Sequence, residues 1–211
     1  MKLTVHTFLT LDGVMQGPGG ADEDTTGGFT QGGWSVGYSD EDFGRIVTGW
    51  FEKADAFLFG RTTYDLMAGY WPSVNDPDDP VSTALNTKQK YVVTTHPVPT
   101  TWGPTAVIAG DLIDAVHELK AKPGGELQVH GSWELANALH NDGLVDEFRL
   151  LIFPVVLGAG KKLFAEGSAE SGFEVVERDV TSEGLTALVL RPAPIKYGEV
   201  HVADAAQAAT G

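Results

Sequence analysis

The sequence predicts an α/β fold: a mostly parallel central sheet with an antiparallel pair at its C-terminal edge. Three observations carry this reading. Short apolar runs alternate with stretches whose apolar residues fall on one helical face. Strand–glycine–helix junctions recur at Gly60 and Gly131. Two late runs, 173–180 and 185–190, are joined around Ser182-Glu183-Gly184, as an antiparallel pair would be.

Residues 2–9 form the first strand candidate. Residues 13–37 are glycine-rich and aperiodic, a long loop of the kind that carries function or moves. Residues 40–53 read as a helix whose acidic first turn suits the helix dipole. Ala56-Phe57-Leu58-Phe59 is too short for a helix and suits a buried strand, which Gly60 turns sharply and after which Thr62 can cap a helix. Tyr91-Val92-Val93, Ala106-Val107-Ile108 and Leu127-Gln128-Val129 are further strands. Asp111 caps a helix with Leu112, Ala115, Val116 and Leu119 on one side, and Ser132 begins another bearing Leu135, Ala138 and Leu139. The apolar run 148–156 reads as a central strand. One domain spans 1–191, and the Ala-rich segment 192–211 is expected to be a partly disordered tail.

Composition narrows the function. Hydrophobic residues make up 42% and charged residues 20%, which favours a globular chain over a disordered one. The net charge of −15 repels nucleic-acid phosphates and anionic lipid, so neither is an expected partner. An anionic ligand must then be held locally, by a helix terminus and one or two basic side chains. With no cysteine there is neither a disulfide framework nor a Cys zinc site. The six histidines lack metal-ligand spacing. No leader or 18-residue apolar run is seen, and a cytoplasmic location is expected. Gly158-Ala159-Gly160-Lys161-Lys162 is close to the end of a P-loop, but Val155 and Lys162 stand where that motif needs Gly and Ser/Thr.

Three strand ends can meet phosphate. Gly60-Arg61-Thr62-Thr63 offers helix amides and a guanidinium, and Gly131-Ser132 offers a second such turn. Thr94 and Thr95 end a strand in two hydroxyls. Each also reads as a plain βα corner or as local backbone bonding, but together they suit a ligand lying across the carboxyl edge of the sheet. Trp34, Tyr38, Trp71 and Trp102 either line a pocket for a planar substrate or close the rim of the core.

Thr10-Leu11-Asp12-Gly13, Phe59-Gly60-Arg61-Thr62-Thr63-Tyr64, Gly131-Ser132, residues 143–147 and residues 154–164 follow one another as in the dihydrofolate reductase superfamily. The chain more closely resembles the branch containing the reductase domain of the bifunctional riboflavin-biosynthesis deaminase-reductase, over about residues 2–191. The resemblance implies a dihydrofolate-reductase-like three-layer fold and an NADPH-dependent reductase acting on a small planar heterocycle or another C=N or C=O acceptor. It implies that Gly60, Arg61, Thr62 and Thr63 meet the cofactor phosphates, with Arg61 toward the 2′-phosphate. Thr94 and Thr95 would lie at the adenosine end, and Gly131, Ser132 and Leu135 under the pyrophosphate and on the helix that follows. Thr10, Val14 and Met15 would lie beside the nicotinamide. It also implies a homodimer, which the apolar stretch 150–157 suits.

Asp12 and Asp42 are the candidate catalytic carboxylates for protonating the acceptor, with ordered water as the other source. Asp40, Glu41 and Asp42 lie where dihydrofolate reductases carry a pterin-binding carboxylate, and also where helix capping alone would place acids. No clear counterpart of the folate-tail arginine is seen, although Lys88 is nearby. Without cysteine, the zinc site of the riboflavin-pathway deaminase cannot be built. Two other readings stay open: a non-catalytic nucleotide- or pterin-binding protein, and a flavin-dependent reductase.

Overall fold

The computed structural model describes residues 1–74, 76–98 and 101–199. Its eight strands are β1 (Lys2–Thr10), β2 (Ala54–Gly60), β3 (Gln89–Val93), β4 (Thr105–Ile108), β5 (Glu126–His130), β6 (Glu147–Phe153), β7 (Gly172–Val180) and β8 (Thr186–Ala193). They form one sheet in the order β4-β3-β2-β5-β1-β6-β8-β7. The first six are mutually parallel, whereas β8 runs antiparallel to β6 and to β7, so the predicted mixed sheet and its antiparallel edge are observed.

Among the described residues five α-helices cover the sheet: α1 (Glu41–Phe51), α2 (Arg61–Tyr70), α3 (Pro80–Thr87), α4 (Leu112–Ala121) and α5 (Trp133–Asn141). Strand alternation sorts the core. Leu3, Val5, Leu58, Leu127, Val129 and Leu150 point to one face, where α4 and α5 supply Val116, Leu119, Leu135 and Leu139. On the opposite face Phe57 and Phe59 pack with Tyr64 of α2 and Leu85 of α3, while Leu151 and Phe153 meet Ile46 and Trp50 of α1. The apolar run of β6 is therefore covered on both faces by its own chain, as a central strand must be.

Several boundaries differ from those expected. β6 stops at Phe153, because Pro154 cannot continue the ladder. α1 ends at Phe51 rather than at residue 53. Gly60 holds the N-cap position of α2, so Thr62 lies inside the first turn and does not cap it. α3 was not anticipated, although Asp79-Pro80 is a strong start signal: the Asp79 carboxylate accepts from the Val81 and Ser82 amides, and Pro80 supplies the first helical φ. The expected tail from residue 200 onward lies outside the described residues, and β8 itself reaches Ala193.

Candidate functional site

The chain leaves neighbouring strands in opposite directions. From β2 it passes through α2 toward β3, and from β5 through α5 toward β6, with the two helices on opposite faces of the sheet. That reversal opens a crevice at the carboxyl ends of β2 and β5, the place where open α/β sheets bind ligands. The two turns touch there. The Gly60 amide donates to Ser132 Oγ at 2.8 Å, and a side chain at Gly60 would come within 3.1 Å of that oxygen. Gly131 (φ +67°) sits beside Thr63 and donates its amide to the His6 carbonyl. Ser132 is the only non-glycine residue with positive φ among those described, at φ 59° and ψ 74°. It stands at the N-cap of α5 as expected, but its hydroxyl joins the two turns instead of capping its own helix. A left-handed, β-carbon-bearing residue is a strained arrangement that recurs at ligand clamps.

Arg61, Thr94 and Thr95 gather at the neighbouring strand end. Arg61 donates Nε to Asp65 Oδ2 and Nη1 to the Pro97 carbonyl, each at 2.6 Å, so its guanidinium bridges α2 to the loop after β3. Thr94 Oγ1 accepts from the His96 amide at 3.0 Å, and Thr95 Oγ1 lies 3.3 Å from His96 Nδ1 in the same loop.

At the end of β1, Thr10 Oγ1 donates to Asp12 Oδ1 at 2.6 Å and accepts from the Val14 amide at 2.9 Å. The Asp12 carboxylate also accepts from the amides of Leu157 and Gly158. These bonds, led by Thr10, hold its carboxyl down at about 2, so at neutral pH it carries no proton. Val14 bridges Lys162, and the Met15 amide donates to the Lys161 carbonyl, which zips the first loop to the segment after β6. Gly160 makes this approach possible, because a β-carbon there would lie 2.6 Å from Val14 Cγ1. Lys161 Nζ pairs with Asp24 at 2.7 Å. A cavity of ≈ 710 Å³ opens between this zipper and α5, walled by residues 26–31, Trp133, Lys161, Lys162 and Glu166.

Comparison with known proteins decides the family. The profile of the RibD C-terminal domain matches residues 1–187. This chain belongs to the RibD C-terminal domain family. It is 32% identical over 192 residues to the uncharacterized protein YyaP of Bacillus subtilis (strain 168), covering 89% of this chain and 93% of that one. Among solved structures it resembles a putative riboflavin biosynthesis protein from Shewanella sp. PV-4 (TM-score 0.63, 22% identity, 92% of this chain and 100% of the other). It also resembles RibD of Acinetobacter baumannii (TM-score 0.61, 15% identity, 92% and 58%). Enterococcus faecalis dihydrofolate reductase complexed with NADP(H) shares the fold as well (TM-score 0.57, 10% identity, 92% and 97%).

In this RibD C-terminal domain the two turns present helix N-terminal amides at the crossover point of the sheet. Gly60 and Gly131 leave room at the floor of the crevice, and the first-turn amides of α2 and α5 are those that helix geometry leaves without an intrahelical acceptor. Leu135, by contrast, is buried in the core beneath α5.

Other predicted residues lie elsewhere. Asp42 accepts from Arg45 Nη2 at 3.0 Å and from the Ser182 amide at 3.3 Å. Asp40 caps α1 through the Phe43 amide and takes the Ser182 hydroxyl and Glu183 amide. Both acids thus fasten α1 to the β7–β8 turn. Lys88 precedes β3, at the amino edge of the sheet and away from the crevice. Trp34 and Tyr38 pack on Phe153, whereas Trp71 and Trp102 join the separate cluster over β2 and β3. The ring of His130 is sandwiched between Phe51 (4.3 Å) and His6 (4.5 Å), and burial pushes it down to about 3.

Sequence reasoning did not find the Ser132–Gly60 tie or the role of Asp65. The first depends on two segments 72 residues apart, and the second had a local signal in its i,i+4 spacing from Arg61.

Proposed function

We propose that this chain is an NADPH-dependent reductase of a small planar heterocycle or another C=N or C=O acceptor. The observation that carries this reading is the pair of glycine turns joined by Ser132 at the crossover point of the sheet, in a chain of the RibD C-terminal domain family. When bound, NADPH supplies the hydride. Arg61 with Thr94 and Thr95 holds the 2′-phosphate and adenosine end. The turns at Gly60–Thr63 and Gly131–Ser132 hold the pyrophosphate, with Leu135 supporting the second turn from the core. Thr10, Val14 and Met15 line the nicotinamide position. Gln16 and Trp133 directly follow Met15 and Ser132 in the chain and both wall the ≈ 710 Å³ cavity, so the acceptor enters there.

Asp12 serves this reaction by position: its ionised carboxylate ties the β1 end to Leu157 and Gly158 and keeps the zipper closed. Asp42, bound to Arg45 and the Ser182 amide, holds α1 in the same way. Water then delivers the proton to the acceptor. We also propose a homodimer. The run on β6 is buried within the chain, which leaves the β7 edge, with Val175, Val176 and Val180 exposed, as the contact strand; light scattering reads this.

Titration with each cofactor tests the central reading. Arg61→Ala weakens NADPH binding by about ten- to a hundredfold, the worth of a charge-assisted contact, and leaves NADH nearly unchanged. Equal losses for the two cofactors would refute it. Loss of NADPH absorbance across a panel of heterocyclic, imine and carbonyl acceptors then identifies the substrate.

A further inference from the structure

Arg61 does not face the crevice unopposed. Its Nε donates to the Asp65 carboxylate at 2.6 Å, one helical turn along α2, and its Nη1 is fixed by the Pro97 carbonyl. The pair is half open to solvent, with the arginine side chain 36% and the aspartate 47% exposed. The loop that anchors Nη1 also carries Thr94, Thr95 and His96, so one corner holds a guanidinium, a carboxylate and two hydroxyls. These groups answer opposite ligands. A guanidinium pairs with a ribose 2′-phosphate, whereas a carboxylate accepts from a ribose 2′-hydroxyl and repels a phosphate.

We infer that Asp65 sets the cofactor preference of this site by opposing the 2′-phosphate that Arg61 attracts. The inference rests on the NADPH reading above and adds a discriminating residue to it. A phosphate paired with one edge of a guanidinium lies about 6 Å from a carboxylate paired with another edge. At water-like screening that repulsion is worth roughly threefold in affinity per phosphate charge, or about tenfold for a dianion. The chain as a whole, at −15, adds no compensating positive field. Asp65 therefore narrows the gap between NADPH and NADH. It also keeps Arg61 extended toward the β3 loop.

Calorimetric binding of adenosine 2′,5′-bisphosphate and of 5′-AMP reads this corner without any turnover. Asp65→Asn keeps an oxygen that can accept from Arg61 Nε but removes the charge. It strengthens binding of the bisphosphate, and of NADPH, by about three- to tenfold, and shifts 5′-AMP and NADH less than twofold. Asp65→Ser gives the same direction and guards against an effect peculiar to the amide, and circular dichroism confirms that each variant folds. The gain shrinks as ionic strength rises. If Asp65→Asn leaves the bisphosphate-to-AMP ratio within twofold while Arg61→Ala lowers it, the inference falls and the phosphate assignment of Arg61 stands. If neither variant moves the ratio, both fall.

Discussion

The two faces of the sheet are built from the same strands and stabilised in different ways. Toward α4 and α5, β1, β5 and β6 present Leu3, Val5, Leu127, Val129, Phe148 and Leu150, an aliphatic and aromatic layer with no buried charge. Toward α1, the alternate residues nearer the start of these strands are Thr4, His6, Glu126, Gln128, His130, Glu147 and Arg149, all wholly or largely enclosed, before Leu151 and Phe153 of β6 return to an apolar cluster. Arg149 is bidentate to Glu126 at 2.8 and 2.5 Å and also reaches Glu147 at 3.1 Å. Lys2 completes the chain on Glu147, and Gln128 ties it to the Trp50 carbonyl of α1. Any well-shaped hydrophobe satisfies the first face, whereas each member of this polar network on the second is tolerated only because the others are present.

Volume-conserving substitutions expose that difference. Arg149→Met fills the space but leaves buried Glu126 without a cationic partner and Glu147 with Lys2 and the more distant Arg191 as its cations, and it lowers unfolding free energy by about 3–5 kcal/mol. Leu127→Met on the opposite face costs less than about 1.5 kcal/mol. Urea midpoints measured at pH 7 rank them, and equal losses would mean that the network carries no charge burden.

Acid sharpens the contrast next. Burial, chiefly, holds His6 and His130 below the ordinary histidine value, His130 at about 3. Protons therefore bind the unfolded chain first. The contribution is complete above about pH 6.5 and is lost as pH falls toward the folded value, for His130 at about 1.4 kcal/mol per pH unit. Unfolding free energy measured at pH 7 and pH 5 drops by about 2 kcal/mol on account of His130, and further in the same direction on account of His6. A flat profile would show that the rings titrate freely.

The smallest effect is expected at Asp12. Asp12→Asn leaves global stability within about 1 kcal/mol, because the residue is partly exposed. Amide exchange at Leu157 and Gly158 rises, while the pH–rate profile keeps its shape. Loss of an acidic limb from that profile would instead return Asp12 to the role of proton donor.

The fold was legible because its signals are local. Every predicted strand is present, since short apolar or alternating runs bounded by turn residues identify a strand wherever it ends up. The crevice was legible at Gly60 and Gly131 for the same reason. What stayed hidden depends on residues distant in sequence. Nothing near His130 announces that Phe51 and His6 will enclose it. Asp12 stood next to a plausible site, and only its bonds to Leu157 and Gly158, about 145 residues away, show a carboxylate engaged as a tether. The α3 start at Asp79-Pro80 was equally local and was missed.

The position of β5 between β2 and β1 carries one more consequence. Strands β1 to β4 are synthesised first, yet the crevice has no second wall until β5 slots in and Ser132 reaches Gly60. Assembly of the site therefore waits on a late, long-range pairing step, and nascent or truncated chains ending before residue 132 lack it. A dinucleotide that recognises both turns stabilises only the completed sheet. Cofactor retention would thus report, during refolding, the moment at which β5 is inserted between β2 and β1.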